Sequence, residues 1–206
     1  MAAGFLNLRH EPADTAMTPP DREFDPDDNF GNSFVAGNDI DAEDATPDAL
    51  VWQLLLLINP GDEELALQQF DAYRETADGE DAADEADEGP VWRLKDVIDW
   101  RSGFYVDAKD PAALIDSIDE LAARWNLRID WGVEDPGDDE FLAAIDVPAL
   151  MATAYDRLRE YGYTLWTWNT EGDAHAGWIT LSTDDEAMRI VAPALGVEVR
   201  AGNEAF

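Results

Sequence analysis

The chain has 206 residues, enough for one domain with appendages and a sizeable core. Its 47 acidic against 13 basic residues leave a formal net charge of −34, a field that repels DNA, RNA and anionic membrane surfaces and attracts cations or basic proteins. Cysteine is absent, which excludes disulfides, thiolate metal sites and a cysteine nucleophile and fits a reducing compartment.

Three explanations of the acidity stand side by side: a solvated, composition-biased surface, an adaptation to high salt, and an acidic face built for a basic partner. The first residues, Met1 to Asn7, lack the charged-then-apolar layout of a secretory signal. The apolar run around Leu54–Ile58 is far shorter than the roughly 20 residues that cross a bilayer. A cytoplasmic protein is the default expectation.

Residues 1–45 are rich in Asp, Pro, Gly and Asn without helical or strand periodicity, and read as an acidic, largely disordered arm. Thr46-Pro47-Asp48 opens a helix through Ile58 that is apolar nearly all round and so calls for burial on several sides. Asn59-Pro60-Gly61 stops it. A second helix starts near Asp62, with Ala66, Phe70, Tyr73 and Ala77 on one face. Residues 79–90 are almost wholly Asp, Glu and Ala and read as an acidic loop.

A short helix follows over Val91–Ile98, then a strand over Gly103–Asp107. Asp110-Pro111 opens a helix with an apolar stripe from Leu114 to Trp125, and Leu127–Trp131 alternates as another strand. Strand, helix and strand with short joints predict a parallel pair with a right-handed crossover. A helical turn near Phe141 and Leu142 precedes a helix from Asp146-Val147-Pro148 to Tyr161. Next come two antiparallel strands, Tyr163–Asn169 and Trp178–Leu181, joined by Thr170–Gly177. Thr183 and Glu186 have the spacing of a capping box, and Val197–Arg200 is a last short strand. The fold class is α+β: a mixed, mostly five-stranded sheet with helices packed on it, an N-terminal helical pair and the acidic arm. Residues 46–206 are read as a single α+β domain.

Period two places Tyr163, Leu165, Ile179 and Leu181 on one face of the hairpin and Trp166, Trp168 and Trp178 on the other. Extending the parity adds Tyr105, Asp107, Arg128 and Asp130 to the tryptophan side. An aromatic floor edged by carboxylates suits a cationic ligand, a sugar, or an Arg or Lys from a protein. The competing reading is that the apolar helix over Leu50–Ile58 lies across the indoles and makes them core.

Asp173 and His175 stand two apart in the hairpin loop, as an acid–imidazole pair or two metal ligands would; alternatively Gly172 and Gly177 shape the loop while Asp173 bonds its own backbone. Asp99 and Arg101 flank Trp100 as a polar clamp or a structural counter-charge. No phosphate loop, nucleotide-fold glycine motif, nucleophile elbow or zinc-protease helix is present, and no cofactor is called for.

Three segments carry a family likeness: Asp99-Trp100-Arg101 through Asp107, Asp130-Trp131-Gly132, and Leu165–Trp168 through Gly172–Trp178. Over roughly Leu50 to Arg200 the chain resembles an uncharacterised bacterial domain-of-unknown-function family, the one numbered six-six-three-zero. The resemblance implies no activity. From the residues, the leading expectation is a non-enzymatic acidic interaction module of the inhibitor or immunity kind that binds a basic protein through Trp166, Trp168, Trp178 and Asp173, with the 80–88 stretch steering encounter. The alternatives are a small ligand- or metal-binding domain or enzyme using Asp107, Asp130, Asp173 and His175, and a salt-adapted protein whose acidity has no dedicated partner.

Overall fold

The computed structural model describes residues 45–77 and 90–206. The arm expected over 1–45 and the acidic loop expected over 79–90 therefore lie outside the described residues, apart from their last members. Ala45 packs against the core, and Pro90 is the first residue of a helix.

Helix α1 (Pro47–Ile58) begins where Thr46 Oγ1 accepts from the Ala49 amide at 3.3 Å, with proline pre-set for the first turn. It ends at Asn59, whose Nδ2 turns back to the Leu55 carbonyl at 2.9 Å. Helix α2 (Glu63–Ala77) follows, and α3 (Pro90–Ser102) runs four residues beyond the expected stop at Ile98. Strand β1 is Phe104–Asp107, α4 is Pro111–Ala123, α5 is Asp139–Ala144 and α6 is Val147–Glu160. The hairpin is β2 (Tyr163–Trp168) and β3 (Ala174–Leu181); α7 (Asp185–Ala194) and β4 (Val199–Ala201) complete the order.

Part of the acidity serves this framework. Asp110, Asp138 and Asp146 each accept a first-turn amide of α4, α5 and α6, at 2.8–3.1 Å. A cap of this kind contributes about 1 kcal/mol.

The sheet has four strands in the order β1-β3-β2-β4, every pair antiparallel. The mixed, five-stranded sheet and the parallel crossover are thereby corrected. Leu127–Trp131 forms no strand and pairs with none among the described residues. Its alternation has another cause: Ile129 and Trp131 are buried among the side chains of α4 and α6, and Trp131 Nε1 donates to the Asp119 carboxylate of α4 at 3.2 Å. One-sided burial on a helical layer produces the same period as half-burial in a sheet.

Helices cover both faces of the sheet. On one side Phe104, Val106, Tyr163, Leu165, Ile179 and Leu181 pack against α4 and α6, where Trp125 lies 4.6 Å from the Tyr163 ring. On the other, Trp166, Trp168 and Trp178 pack against α1, α3 and α7. At Gly177 the strands leave no room for a side chain: a Cβ there would meet the Trp166 carbonyl oxygen and, at 2.9 Å, the Phe104 ring.

A ring of buried polar side chains ties the α1–α2 turn to α2 and α3. Asn59 Nδ2 donates to Gln69 Oε1 (2.8 Å), Gln69 Nε2 to Ser102 Oγ (2.8 Å), and Ser102 Oγ to Asn59 Oδ1 (2.6 Å). The capping box is absent. Thr183 instead sits in a 3-10 turn, Ser182–Asp184, with its hydroxyl against Asp184 Oδ1 at 3.4 Å, and α7 starts directly after that turn.

Candidate functional site

The parity reading of the hairpin is right, and the open tryptophan platform is not. Trp166, Trp168 and Trp178 all point away from the aliphatic layer, but they are only 2 %, 3 % and 0 % exposed. An all-apolar α1 and a face of indoles each need a cover, and each covers the other. Trp166 Nε1 donates to Thr180 Oγ1 at 3.0 Å, and the Trp168 and Trp178 rings stack with centroids 6.5 Å apart. Trp166 and Trp178 are core, and Trp168 keeps only a rim at the surface.

What remains open on that side lies at the edge strand. Tyr105 projects from β1 beside Trp168, ring centroids 6.3 Å apart, and Trp92 of α3 closes on both. Trp100, near the end of α3, is 50 % exposed and Tyr105 is 36 % exposed. With Asp96, Ile98 and the rim of Trp168 they line a groove of about 300 Å³. One of the two lysines of the whole chain, Lys95, stands in it. Its ammonium is 4.9 Å from the centre of the Tyr105 ring, 5.7 Å from that of Trp92, and 3.4 Å from Asp96 Oδ1. The aromatic faces of the groove thus hold the chain's own ammonium.

The carboxylates and histidine singled out in the sequence do not converge. Asp107 follows Tyr105 on the tryptophan side but is exposed, and its Oδ1 accepts from the Lys109 amide at 2.8 Å, a turn bond. Asp130 belongs to the unpaired segment on the opposite side of the sheet. There it accepts from the Gly132 amide at 2.9 Å and lies 4.0 Å from Arg157 of α6. Its expected place beside Tyr105 and Asp107 is corrected, because parity carries across a sheet only when the strand belongs to it.

His175 pairs with Val106 in the ladder and so shares the aliphatic face, opposite Tyr105. Burial lowers its pKa below the ordinary value of 6.5. Asp173 is exposed, and its backbone carbonyl accepts from the Ala108 amide at 2.9 Å. The loop is shaped by other residues than expected. Asn169 Oδ1 accepts from the Glu171 amide, Glu171 takes the positive φ of 57°, and Thr170 Oγ1 donates to the Ala174 carbonyl. Among the described residues no cluster of three or more His, Asp or Glu could hold a metal ion. The Asp99 side chain lies outside the described residues. Arg101 is exposed on the wall of a second cavity, below.

Lys95 and Trp92 were missed in the sequence. The usable signal is their spacing of three on a helix, which puts both over one sheet residue.

An antiparallel four-stranded sheet between two helical layers, with an aromatic groove holding Lys95 at its edge strand, gives the described residues an α+β fold. The chain belongs to the domain of unknown function family DUF6630, which it matches over residues 50–202, as the three resembling segments imply. No curated protein and no solved structure matches it. No helix of the described residues is long and apolar enough to cross a membrane.

Proposed function

We propose that this protein is a non-enzymatic, acidic protein-interaction module, of the inhibitor or immunity kind, that takes a basic protein surface at the groove between α3 and β1. The observation that carries the reading is the position of Lys95. In a chain of net charge −34, an ammonium lies over the Tyr105 and Trp92 rings in a groove that Trp100 leaves half open. The half-exposed Trp100 beside it offers a partner's Arg or Lys a further aromatic face, and a cation on such a face gains about 0.5–2 kcal/mol. Long-range charge steers encounter, while the aromatic pair selects where the cation docks. Asp107 and Asp173, brought to one end of the sheet by the Asp107–Ala174 pairing, supply exposed carboxylates near that edge.

The test is capture of basic proteins by the native chain and by a Trp100→Ala/Tyr105→Ala variant, at low and moderate KCl. The reading expects a salt-sensitive partner that the double variant no longer retains. A partner held equally by both proteins would place the contact elsewhere, and no basic partner would remove the reading.

A further inference from the structure

Arg124, just after α4, is a part-buried cation. Its Nη2 donates to Asn59 Oδ1 at 2.9 Å, its Nη1 reaches the Ile58 carbonyl at 3.4 Å, and the guanidinium lies 5.0 Å from the Trp125 ring. Burial lowers its pKa, against the charges of Asp62 and Tyr163, which raise it. As holds too for Arg74, Arg93, Lys109, Arg128 and Arg189, no carboxylate among the described residues lies within 4.0 Å of Arg124 or Arg101. Both line one cavity of about 510 Å³, together with Asp62, Glu64, Glu120 and Trp100. That volume is within the usual range of about 300–1,000 Å³ for small-molecule sites.

From this we infer a binding site for a small zwitterion of the α-amino-acid class, its carboxylate on Arg124 and Arg101 and its ammonium toward Asp62, Glu64 and Glu120. The guanidinium is held in a fixed orientation. Asn59 Oδ1, its acceptor, is locked by Ser102 Oγ and through Gln69, and all three side chains are buried. A guanidinium carries five donors, and the bonds to Ile58 and Asn59 leave the others for a carboxylate, which such a fork takes in bidentate fashion. The three carboxylates of the wall oppose a plain anion and the two arginines oppose a plain cation, so a ligand with both charges is the complement of the whole wall. The site shares Trp100 with the groove of the proposed protein contact but takes its charges from other residues.

Titration calorimetry of the full chain with glycine, L-glutamate, L-arginine, succinate and putrescine tests the assignment. The expected result is that at least one amino acid binds in the millimolar range or tighter, while succinate and putrescine bind at least about tenfold more weakly. Arg101→Gln, at an exposed position, is expected to weaken that binding about tenfold with an unchanged melting temperature. Arg124→Lys is expected to do the same, and Arg101→Gln stands in for it should the buried change unfold the chain. Absence of heat with every amino acid up to about 10 mM, equal binding of succinate or putrescine, or indifference to Arg101→Gln would each overturn the site.

Discussion

The indole of Trp92 meets that of Trp168 edge-on, with centroids 5.2 Å apart and planes at 85°. This contact joins α3 to β2 and closes the tryptophan side of the sheet at its β1 end. Beyond it the aromatic surface is open; behind it the indoles are core.

Truncation of Trp92 therefore tests the closure. Trp92→Ala is expected to cost about 2 kcal/mol, below the 3–5 kcal/mol of a fully buried ring because Trp92 is itself half-buried. Urea denaturation gives the loss, and a red shift of native-state tryptophan emission reports water reaching Trp168. Unchanged stability and emission would mean that the pair closes nothing.

Two glycines of the hairpin have opposite sensitivity. Gly177→Ala places a methyl against the Trp166 carbonyl and the Phe104 ring and is expected to lose at least about 2 kcal/mol. Gly172→Ala meets only the Thr170 carbonyl oxygen at 3.8 Å and is expected to change stability by less than about 1 kcal/mol. Equal effects in denaturant titrations would contradict the strand register on which the two-sided sheet rests.

Burial is the largest influence on three titrating groups. It raises the pKa of Asp119, against hydrogen bonding from Trp131, and of Asp184, against hydrogen bonding from Thr183. Each folded carboxyl keeps its proton to a higher pH than the unfolded one, so each costs stability as the pH rises from 3.8 through its raised value. His175 runs the other way: stability is lost as the pH falls from 6.5 toward its lowered value. Relative to the native chain in the same buffers, Asp119→Asn is expected to gain stability between pH 4 and pH 7. His175→Asn is expected to flatten the acid side. Parallel pH profiles for native and variant chains would refute either assignment.

Self-repulsion of the net −34 charge is screened as the Debye length falls from about 10 Å at 0.1 M salt to about 3 Å at 1 M. The melting temperature is expected to rise with KCl over this range. A flat profile would remove both self-repulsion and salt adaptation as consequences of the acidity.

The hairpin was legible because its period-two pattern is long and two-sided, and α1 because an all-apolar helix demands burial wherever it lands. Those two facts held the answer to whether the indoles were open. The strand at Leu127–Trp131 failed because alternation reports which side chains are covered, not what covers them. The aromatic groove was half legible, since Tyr105 follows from parity while Trp92, Lys95 and Trp100 depend on how far α3 extends. Arg124, Asn59, Gln69 and Ser102 left no local signature: their bonds span up to 66 residues and their types are ordinary.

The most direct measurement is the affinity of an arginine-rich peptide for the native chain, for Trp100→Ala/Tyr105→Ala, and for the control Tyr161→Ala, which removes another exposed ring. None of these changes alters the net charge. The account predicts that the double variant binds at least about fivefold more weakly, with the control unchanged. Equal affinity of all three proteins, falling together with salt, would show that the peptide sees only the charge and would contradict the groove as the contact surface.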